Sequence, residues 1–198
     1  MTALAELAAK QAITEQIYRY CRGIDRMDLD LALSVWHSDG VVDFTDGIAV
    51  SNYPPGPPPV PVHRHFEWAW PFRKTFLSHS HQATNILITV DGDRAASETT
   101  SITVLQKAGE SGTIDQEVFW GRWLDRWSKR DGRWAVDYRR AITDCRFATS
   151  WAARPVDDPA PRAARRDRSD PSYWFFDLSL GTDSIVEASR QSARGGAQ

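Results

Sequence analysis

Four long segments with period-two alternation of side chains constrain the fold of this chain more than any other feature. They fall at about residues 78–90, 94–107, 114–129 and 132–147. Gly92, the pair Gly109 and Gly112, and Gly132 mark the short connections, and Asp-Gly pairs are strong signals for tight hairpins. Four consecutive strands joined in this way predict an antiparallel, strongly curved meander.

The region before the meander has helical spacing. A helix at about residues 3–23 carries an apolar stripe formed by Leu4, Leu7, Ala8, Ala12, Ile13, Ile17, Cys21 and Ile24. A second helix at about 28–37 buries Trp36, and a strand follows at 41–44 before the Asp46–Gly47 turn. Helices followed by a meander predict an α+β fold, with the helices against one face of the sheet.

Residues 53–61 are mostly proline, which excludes a helix or a central strand. A stiff connecting loop is the first interpretation, and a polyproline recognition segment is the alternative. Residues 62–76 return to helical spacing, with Pro71 expected to kink or break the helix. This helix is rich in aromatic residues, including Trp68 and Phe72, which indicates either a wall over an apolar site or ordinary packing.

Composition restricts the class of function. The chain has 24 basic and 26 acidic residues and no clear basic stripe before residue 150, which argues against a nucleic-acid partner. The two cysteines show no metal-type spacing, and a reduced protein is the simpler reading. We see no signal peptide and no membrane span, so we expect a cytoplasmic protein. Nine tryptophans suit a large apolar pocket.

Beyond residue 148 the regular pattern ends. We therefore expect a domain at 1–150 and an irregular C-terminal arm at 151–198, with a short helix at 182–194. The segment Tyr173–Phe176 is too apolar to remain free, so it should dock on the barrel or on a neighbouring subunit.

The first candidate for chemistry is a pairing of Asp25 with His81. Asp25 lies one turn beyond Cys21, at the inner edge of the first helix, where a carboxylate needs a partner. His79, His81, Ala83, Asn85 and Leu87 alternate onto one face of their strand. An aspartate that fixes the imidazole tautomer makes His81 a general base.

Arginines of the last strand are candidate cations. Alternation places Arg140 and Arg146 on one face, where either could stabilise an oxyanion or a leaving group. An ion pair with Asp144 or Asp25 is the equally supported alternative.

Several motifs resemble the SnoaL-like branch of the nuclear transport factor 2-like superfamily over about residues 3–147. They are Ala12-Ile13 through Tyr20, Gly23-Ile24-Asp25, Asp28 through Trp36, Asp43-Phe44, His81-Gln82-Ala83-Thr84-Asn85 and residues 127–134. The resemblance implies a cone-shaped α+β barrel whose N-terminal helices cover the concave face of a mostly antiparallel sheet. Hexachlorocyclohexane dehydrochlorinases, bile-acid 7α-dehydratases and scytalone dehydratases are the similar enzymes.

Carried over by position, the resemblance makes His81 the base and Asp25 its orienting partner. Tyr20 becomes a general acid or oxyanion donor, and Arg140 a polarising cation. No cofactor and no metal are implied. The predicted substrate-binding residues are Trp36, Trp68, Phe72, Asn85, Phe119 and Arg146.

These residues, together with the resemblance, predict a cofactor-independent lyase that acts on a hydrophobic polycyclic or multi-aromatic molecule. Loss of water is what the similar dehydratases imply, and loss of a small aldehyde such as formaldehyde is what similar lyases of lignin-derived diaryl compounds imply. An isomerase or polyketide cyclase in the same pocket and a non-catalytic ligand-binding protein are the alternatives. A metal site on His63-x-His65 or His79-x-His81 is disfavoured, because no third ligand follows at a defined spacing. Apolar residues on both faces of the strand at 114–129 predict a homo-oligomer, a trimer by resemblance or else a dimer.

Overall fold

The computed structural model describes residues 2–46, 59–152 and 165–195. Its elements in chain order are α1 (Ala3–Asp25), α2 (Leu29–Ser34), β1 (Trp36–Asp46), β2 (Val60–Pro61), α3 (Val62–Arg73), β3 (Ser78–Asp91), β4 (Arg94–Ala108), a 3-10 turn (Glu110–Gly112), β5 (Thr113–Arg130), β6 (Arg133–Ala152), α4 (Pro171–Phe175) and α5 (Thr182–Gly195).

The six strands form one curled, unclosed sheet in the order β2-β1-β6-β5-β4-β3. Every neighbouring pair is antiparallel except β1 and β6, which run parallel. Helix α1 packs on β3, and α3 packs on β1. The predicted α+β class and the mostly antiparallel sheet covered by N-terminal helices are confirmed.

Helix α1 is capped by Thr2, whose side chain accepts a hydrogen bond from the Ala5 amide at 3.2 Å. Its buried stripe is shorter than expected. Ile13, Ile17 and Ile24 are fully buried, whereas Leu4 and Leu7 are 76% and 65% exposed. The first turns of the helix therefore project beyond the sheet that the rest of the stripe covers.

Gly23 lies inside α1 rather than at its end, because the helix continues through Asp25. The residue permits close approach to α2: a Cβ atom at this position would lie 2.6 Å from the backbone nitrogen of Ala32. The Gly23 carbonyl also accepts a hydrogen bond from the Asp28 amide at 2.8 Å. This contact fixes the chain immediately around Asp25.

The second helix is shorter than predicted. It ends at Ser34, and Trp36 already pairs with Val136 in the parallel ladder between β1 and β6. The Val35 carbonyl accepts the Val136 amide at 3.0 Å. Pairing with the sheet therefore prevails over local helical spacing in this segment.

The proline-rich segment is described only from residue 59 onward, so most of the predicted stiff loop, and Gly47 of the predicted turn, lie outside the described residues. Val60 and Pro61 pair with β1 at the sheet edge, where a missing proline donor is tolerated. Pro71 lies in α3, which ends two residues later at Arg73.

Two of the long strands contain bulges that change which side chains face inward. In β3 the ladder skips Asn85, which has φ of 46° and is left unpaired between Thr84 and Ile86. In β6 the extra residues are Asp137 and Asp144. Strict alternation through these positions is therefore broken.

The C-terminal arm packs on its own chain. The Tyr173 hydroxyl donates to Asp28 at 2.9 Å, the Arg22 guanidinium donates to Ser172 at 3.0 Å, and Arg26 forms an ion pair with Asp170 at 3.2 Å. The predicted docking of the aromatic segment holds for Tyr173, whereas the Phe176 side chain is 72% exposed. The domain boundary near residue 150 stays a prediction, because β6 runs on to Ala152.

In the part of the chain described here, no helix is both long and apolar enough to cross a membrane.

Candidate active site

The centre of the site is a hydrogen-bonded pair formed by Asp25 and His81. Asp25 is the last residue of α1, and its Oδ1 lies 2.6 Å from His81 Nδ1. The His81 backbone N–H also donates to Asp25 Oδ2 at 2.9 Å. With Nδ1 donating to the carboxylate, Nε2 is the ring atom that can accept a proton. The predicted pairing is therefore present in the structure.

His81 lines a cavity of about 160 Å³ between the sheet and helices α1 and α3. The lining is predominantly apolar and aromatic: Tyr20, Phe44, His65, Trp68, Ala69, Phe72, Arg73, Phe76, His81, Ser101, Thr103, Leu105, Phe119, Gly121, Trp123, Ala141, Ile142 and Thr143. A cavity of about 150 Å³ holds one benzene ring. The enclosed space therefore accommodates about one aromatic ring, and anything larger must extend past the rim.

Tyr20 lies on the wall of this cavity and is 5% exposed. Its ring makes edge contacts with Trp36 and Trp123 at centroid distances of 6.3 and 5.4 Å. The Arg139 guanidinium lies over the same ring at 4.3 Å. The phenol of Tyr20 thus lines the cavity, and its ring is held by two tryptophan rings and one guanidinium.

Arg139 is held by a buried bidentate ion pair. Its Nε and Nη2 donate to the two carboxylate oxygens of Asp125 at 2.7 and 2.8 Å, and both side chains are almost completely buried. Burial works to lower the pKa of Arg139, but Asp125 outweighs it and the pKa stays above its usual value. The arginine is a permanent cation behind Tyr20.

Three of the predicted substrate-binding residues, Trp68, Phe72 and Phe119, line the cavity. Trp68 and Phe72 stack with centroids 5.7 Å apart, and Phe72 is 49% exposed, so this stacked pair lies at the rim. Trp36 does not line the cavity; it is 4% exposed and packs behind Tyr20.

Arg140 is not in the cavity, contrary to the prediction. The bulge at Asp137 shifts the alternation of β6, so that Arg139, Ala141 and Thr143 face inward. Arg140 pairs in register with Leu124 and lines a separate depression on the other face of the sheet. The inward cation of this strand is its neighbour, Arg139.

Arg146 lies near the cavity but not in its lining. It pairs in register with Phe119, and its guanidinium lies 5.2 Å from that ring. It also forms an exposed ion pair with Glu117 at 2.9 Å. Asp144, the other predicted partner of these arginines, pairs instead with Arg122 at 2.9 Å.

Asn85 is also placed wrongly by strict alternation. It occupies the bulge of β3 with a positive φ and is exposed. Beyond the bulge Leu87 is 71% exposed, while Ile86 and Ile88 pack against the core. His79, His81 and Ala83 share the inward face as predicted, and the pattern reverses after them.

Among the cavity residues that were not predicted, the two with ionisable side chains are His65 and Arg73, and both come from α3. His65 is 2% exposed, with its ring 4.7 Å from Phe44, and burial together with the charge of Arg73 lowers its pKa to about 3. Arg73 lines the cavity with its Nε buried, and burial lowers its pKa as well. The buried positions Val62, His65, Phe66 and Ala69 repeat at helical spacing, and four residues further lies Arg73.

The C-terminal arm contacts the back of the site. Arg166 Nη2 lies 3.0 Å from His79 Nδ1 and 2.9 Å from the Arg73 carbonyl, and Nη1 donates to the Phe76 carbonyl. Burial, followed by the charges of Arg166 and Arg73, lowers the pKa of His79 to about 3. His79 is therefore a neutral neighbour of His81, with ring centroids 6.5 Å apart.

The described residues also bear on two other chemistries, metal binding and attack by a thiolate. In the ranges that the structure describes, no group of three or more His, Cys, Asp or Glu side chains is placed to hold a metal ion. Cys21 is buried beside the site, and burial raises the pKa of its thiol to about 12, which disfavours a thiolate nucleophile.

The sequence was compared with known families and proteins. The SnoaL-like domain model matches residues 5–140. No curated protein matches the sequence significantly.

Solved structures share the fold at low identity. A putative scytalone dehydratase from Novosphingobium aromaticivorans has a TM-score of 0.58 at 18% identity and covers 76% of this chain and 95% of its own. A hexachlorocyclohexane dehydrochlorinase of type 3 from Novosphingobium barchaimii has a TM-score of 0.55 at 18% identity, with 74% and 92% covered. A protein of unknown function from Mycobacterium tuberculosis has a TM-score of 0.53 at 23% identity, with 96% and 90% covered.

Proposed function

The chain belongs to the SnoaL-like domain family, and we propose that it is a cofactor-independent lyase acting on a hydrophobic polycyclic or multi-aromatic small molecule. The observation that carries the proposal is the Asp25–His81 pair at the wall of an aromatic cavity. This arrangement supplies a base of fixed tautomer in a predominantly apolar pocket. The fold alone does not decide the reaction, since one fold hosts many functions.

The elimination needs three groups. His81 Nε2 removes a proton from a substrate carbon, and the electron pair of that C–H bond forms the new double bond. The leaving hydroxyl departs with its C–O bonding pair and takes a proton from the Tyr20 hydroxyl, so that water is released. Asp25 stabilises the imidazolium that forms on His81. Proton return from imidazolium to the Tyr20 oxygen, directly or through solvent, restores the resting state.

Loss of formaldehyde instead of water uses the same base. His81 then takes the proton of a primary hydroxyl, a carbon–carbon bond breaks as the carbonyl of formaldehyde forms, and the released electron pair expels a leaving group or is protonated by Tyr20. Product mass distinguishes the two reactions, because water and formaldehyde differ in mass.

The aromatic rim favours a substrate with more than one ring. About one ring fits the enclosed space, and the stacked pair Trp68 and Phe72 offers a partly exposed platform beyond it. Aromatic rings prefer offset-stacked or edge-to-face contacts, and this pair can make such contacts with a second ring of the substrate. Multi-aromatic substrates therefore suit the site better than a single small ring.

We also propose that the protein is a homo-oligomer, a trimer or else a dimer. Trp120, Phe147 and Trp151 lie on β5 and β6 and are 38–42% exposed. Trp120 and Phe147 pack at 5.3 Å between centroids, which makes a compact apolar patch on the sheet.

The test is mass spectrometry of reaction mixtures without added cofactor or metal. The panel comprises hydroxysteroids, hydroxylated polyketide-like aromatics and lignin-type diaryl diols. We expect loss of water or formaldehyde that is abolished in His81→Ala and retained in His63→Ala, since His63 is exposed and outside the cavity. A product of unchanged mass would indicate an isomerase or cyclase, and binding without turnover would indicate a ligand-binding protein; either result overturns the lyase proposal.

A further inference from the structure

Arg73 is the feature of the cavity that the elimination leaves unused. It lies at the C-terminal end of α3, lines the cavity with Tyr20 and His81, and has its Nε buried. No carboxylate among the described residues forms an ion pair with it. A guanidinium is always charged at neutral pH, so this partly buried cation is present throughout the resting state.

The nearby carboxylates already have other partners. Both oxygens of Asp25 accept hydrogen bonds from His81, and both oxygens of Asp125 accept hydrogen bonds from Arg139. Arg166 adds another positive charge behind the cavity, beside His79. Around the cavity, the positive charges of Arg73, Arg139 and Arg166 therefore outnumber the negative charges of Asp25 and Asp125.

Arg73 is also held in place. Arg166 Nη2 donates to the Arg73 carbonyl at 2.9 Å, and its Nη1 donates to the Phe76 carbonyl. The first contact bonds the last carbonyl of α3, which has no partner within the helix, and the second bonds the chain three residues beyond the helix end. The arm thus fixes the end of α3 from which the Arg73 side chain enters the cavity.

We propose that Arg73 binds a carboxylate of the substrate, and that the aromatic substrate of this site is an aromatic acid. A permanent, partly buried cation is best neutralised by a permanent anion, whereas an oxyanion that exists only during the reaction would leave the cation unpaired between turnovers. A carboxylate also fits the bidentate geometry of a guanidinium. Phenols are neutral near pH 7 and do not supply this charge.

The inference rests on the proposed function for its reaction but is tested by binding alone. We would measure dissociation constants of benzoate, 2-naphthoate and biphenyl-4-carboxylate, each against its neutral carboxamide. The protein is the wild type, because none of these probes carries a hydroxyl group that could leave, so turnover is not needed for the result. We expect at least one acid to bind about 10- to 100-fold more tightly than its amide, as for a hydrogen-bonded charge pair.

Arg73→Gln should abolish this preference, and Arg73→Lys should retain part of it. Lys74→Gln is the matched control, because Lys74 is the next residue, carries the same charge and is exposed. Equal binding of acids and amides by the wild type overturns the proposal, whether or not the variants fold. An acid preference that survives in folded Arg73→Gln also overturns it. Failure of every substrate to turn over would overturn the lyase function and leave the carboxylate site standing.

Discussion

Both carboxylate oxygens of Asp25 are bonded to one residue, His81: Oδ1 to the ring Nδ1 at 2.6 Å and Oδ2 to the backbone N–H at 2.9 Å. A single contact would permit the imidazole to swing about its χ angles. Two contacts from one residue fix the ring relative to its own strand, so helix α1 and strand β3 jointly set the direction of Nε2. Catalysis should depend on this geometry more than stability does.

Asp25→Asn tests that dependence. An asparagine keeps the size of the side chain but can present its amide N–H₂ to Nδ1, which favours the wrong tautomer. We expect kcat to fall about 10²- to 10⁴-fold, while the melting temperature changes little. Steady-state kinetics and thermal unfolding measure the two effects. Near-wild-type kcat in a folded Asp25→Asn protein would contradict the orienting role.

Gly23→Ala tests how the packing of α1 supports the site. The new Cβ would meet the backbone of Ala32 at 2.6 Å, so α1 and α2 must separate. We expect a loss of about 1–3 kcal/mol in the free energy of unfolding, and a reduced kcat because Asp25 lies two residues further along. Denaturant unfolding measures the first effect. Gly181→Ala is the control, because no atom lies within 4 Å of its added Cβ.

The sequence predicted the sheet well because each long strand alternates along most of its length and turn-specific residues separate one strand from the next. The observed bounds of β3, β4 and β5 differ from the predicted ones by one residue at most. The Asp25–His81 pair was predictable for the same reason. His81 precedes the bulge of its strand, and Asp25 lies on a helix with a clear apolar stripe.

The arginines were not predictable from alternation alone. One extra residue, Asp137, moves Arg139 inward and Arg140 outward, and nothing in the sequence around it marks the bulge. At Asn85 there was a signal, because asparagine is enriched among non-glycine residues with positive φ. Arg73 was visible through the helical spacing from Phe66 and Ala69, but the aromatic residues of the same helix dominated its interpretation.

Asp125→Asn should be strongly destabilising. The variant leaves the buried Arg139 guanidinium without its carboxylate, and removal of one partner from a buried ion pair costs about 3–5 kcal/mol. Chemical denaturation measures the loss. The double variant Asp125→Leu with Arg139→Met removes both charges and should recover much of the stability. A double variant that is less stable than Asp125→Asn would contradict this explanation.

Stability should fall in mild acid because His65 is buried as the neutral imidazole. Its pKa is lowered to about 3 in the folded protein, against about 6.5 when unfolded. Between these values the unfolded state binds a proton that the folded state does not, so the stabilisation present above pH 6.5 is lost as the pH falls toward 3. The slope from one such group approaches about 1.4 kcal/mol per pH unit.

His65→Phe keeps an aromatic ring in this position and removes the titration. We expect the free energy of unfolding to depend less steeply on pH between about 6.5 and 4 in this variant than in the wild type. His79, whose pKa is lowered to about 3, leaves part of the slope in place. Urea unfolding at several pH values measures the pH dependence of the free energy of unfolding, and His63→Gln, at an exposed histidine, is the control. Parallel curves for His65→Phe and wild type would show that His65 does not titrate on unfolding.

The apolar patch of Trp120, Phe147 and Trp151 predicts self-association. Each side chain is 38–42% exposed, and the Trp120 and Phe147 rings already contact each other, so a partner surface can cover them without rearrangement of the strands. Light scattering at micromolar concentration should give a multiple of the 22.4 kDa chain mass. Trp120→Glu places a charge in the patch and should shift the protein toward monomer, whereas Leu87→Glu, at an exposed leucine of β3, should not. A wild-type monomer would contradict the assembly, and an unchanged oligomer in Trp120→Glu would move the interface to another surface.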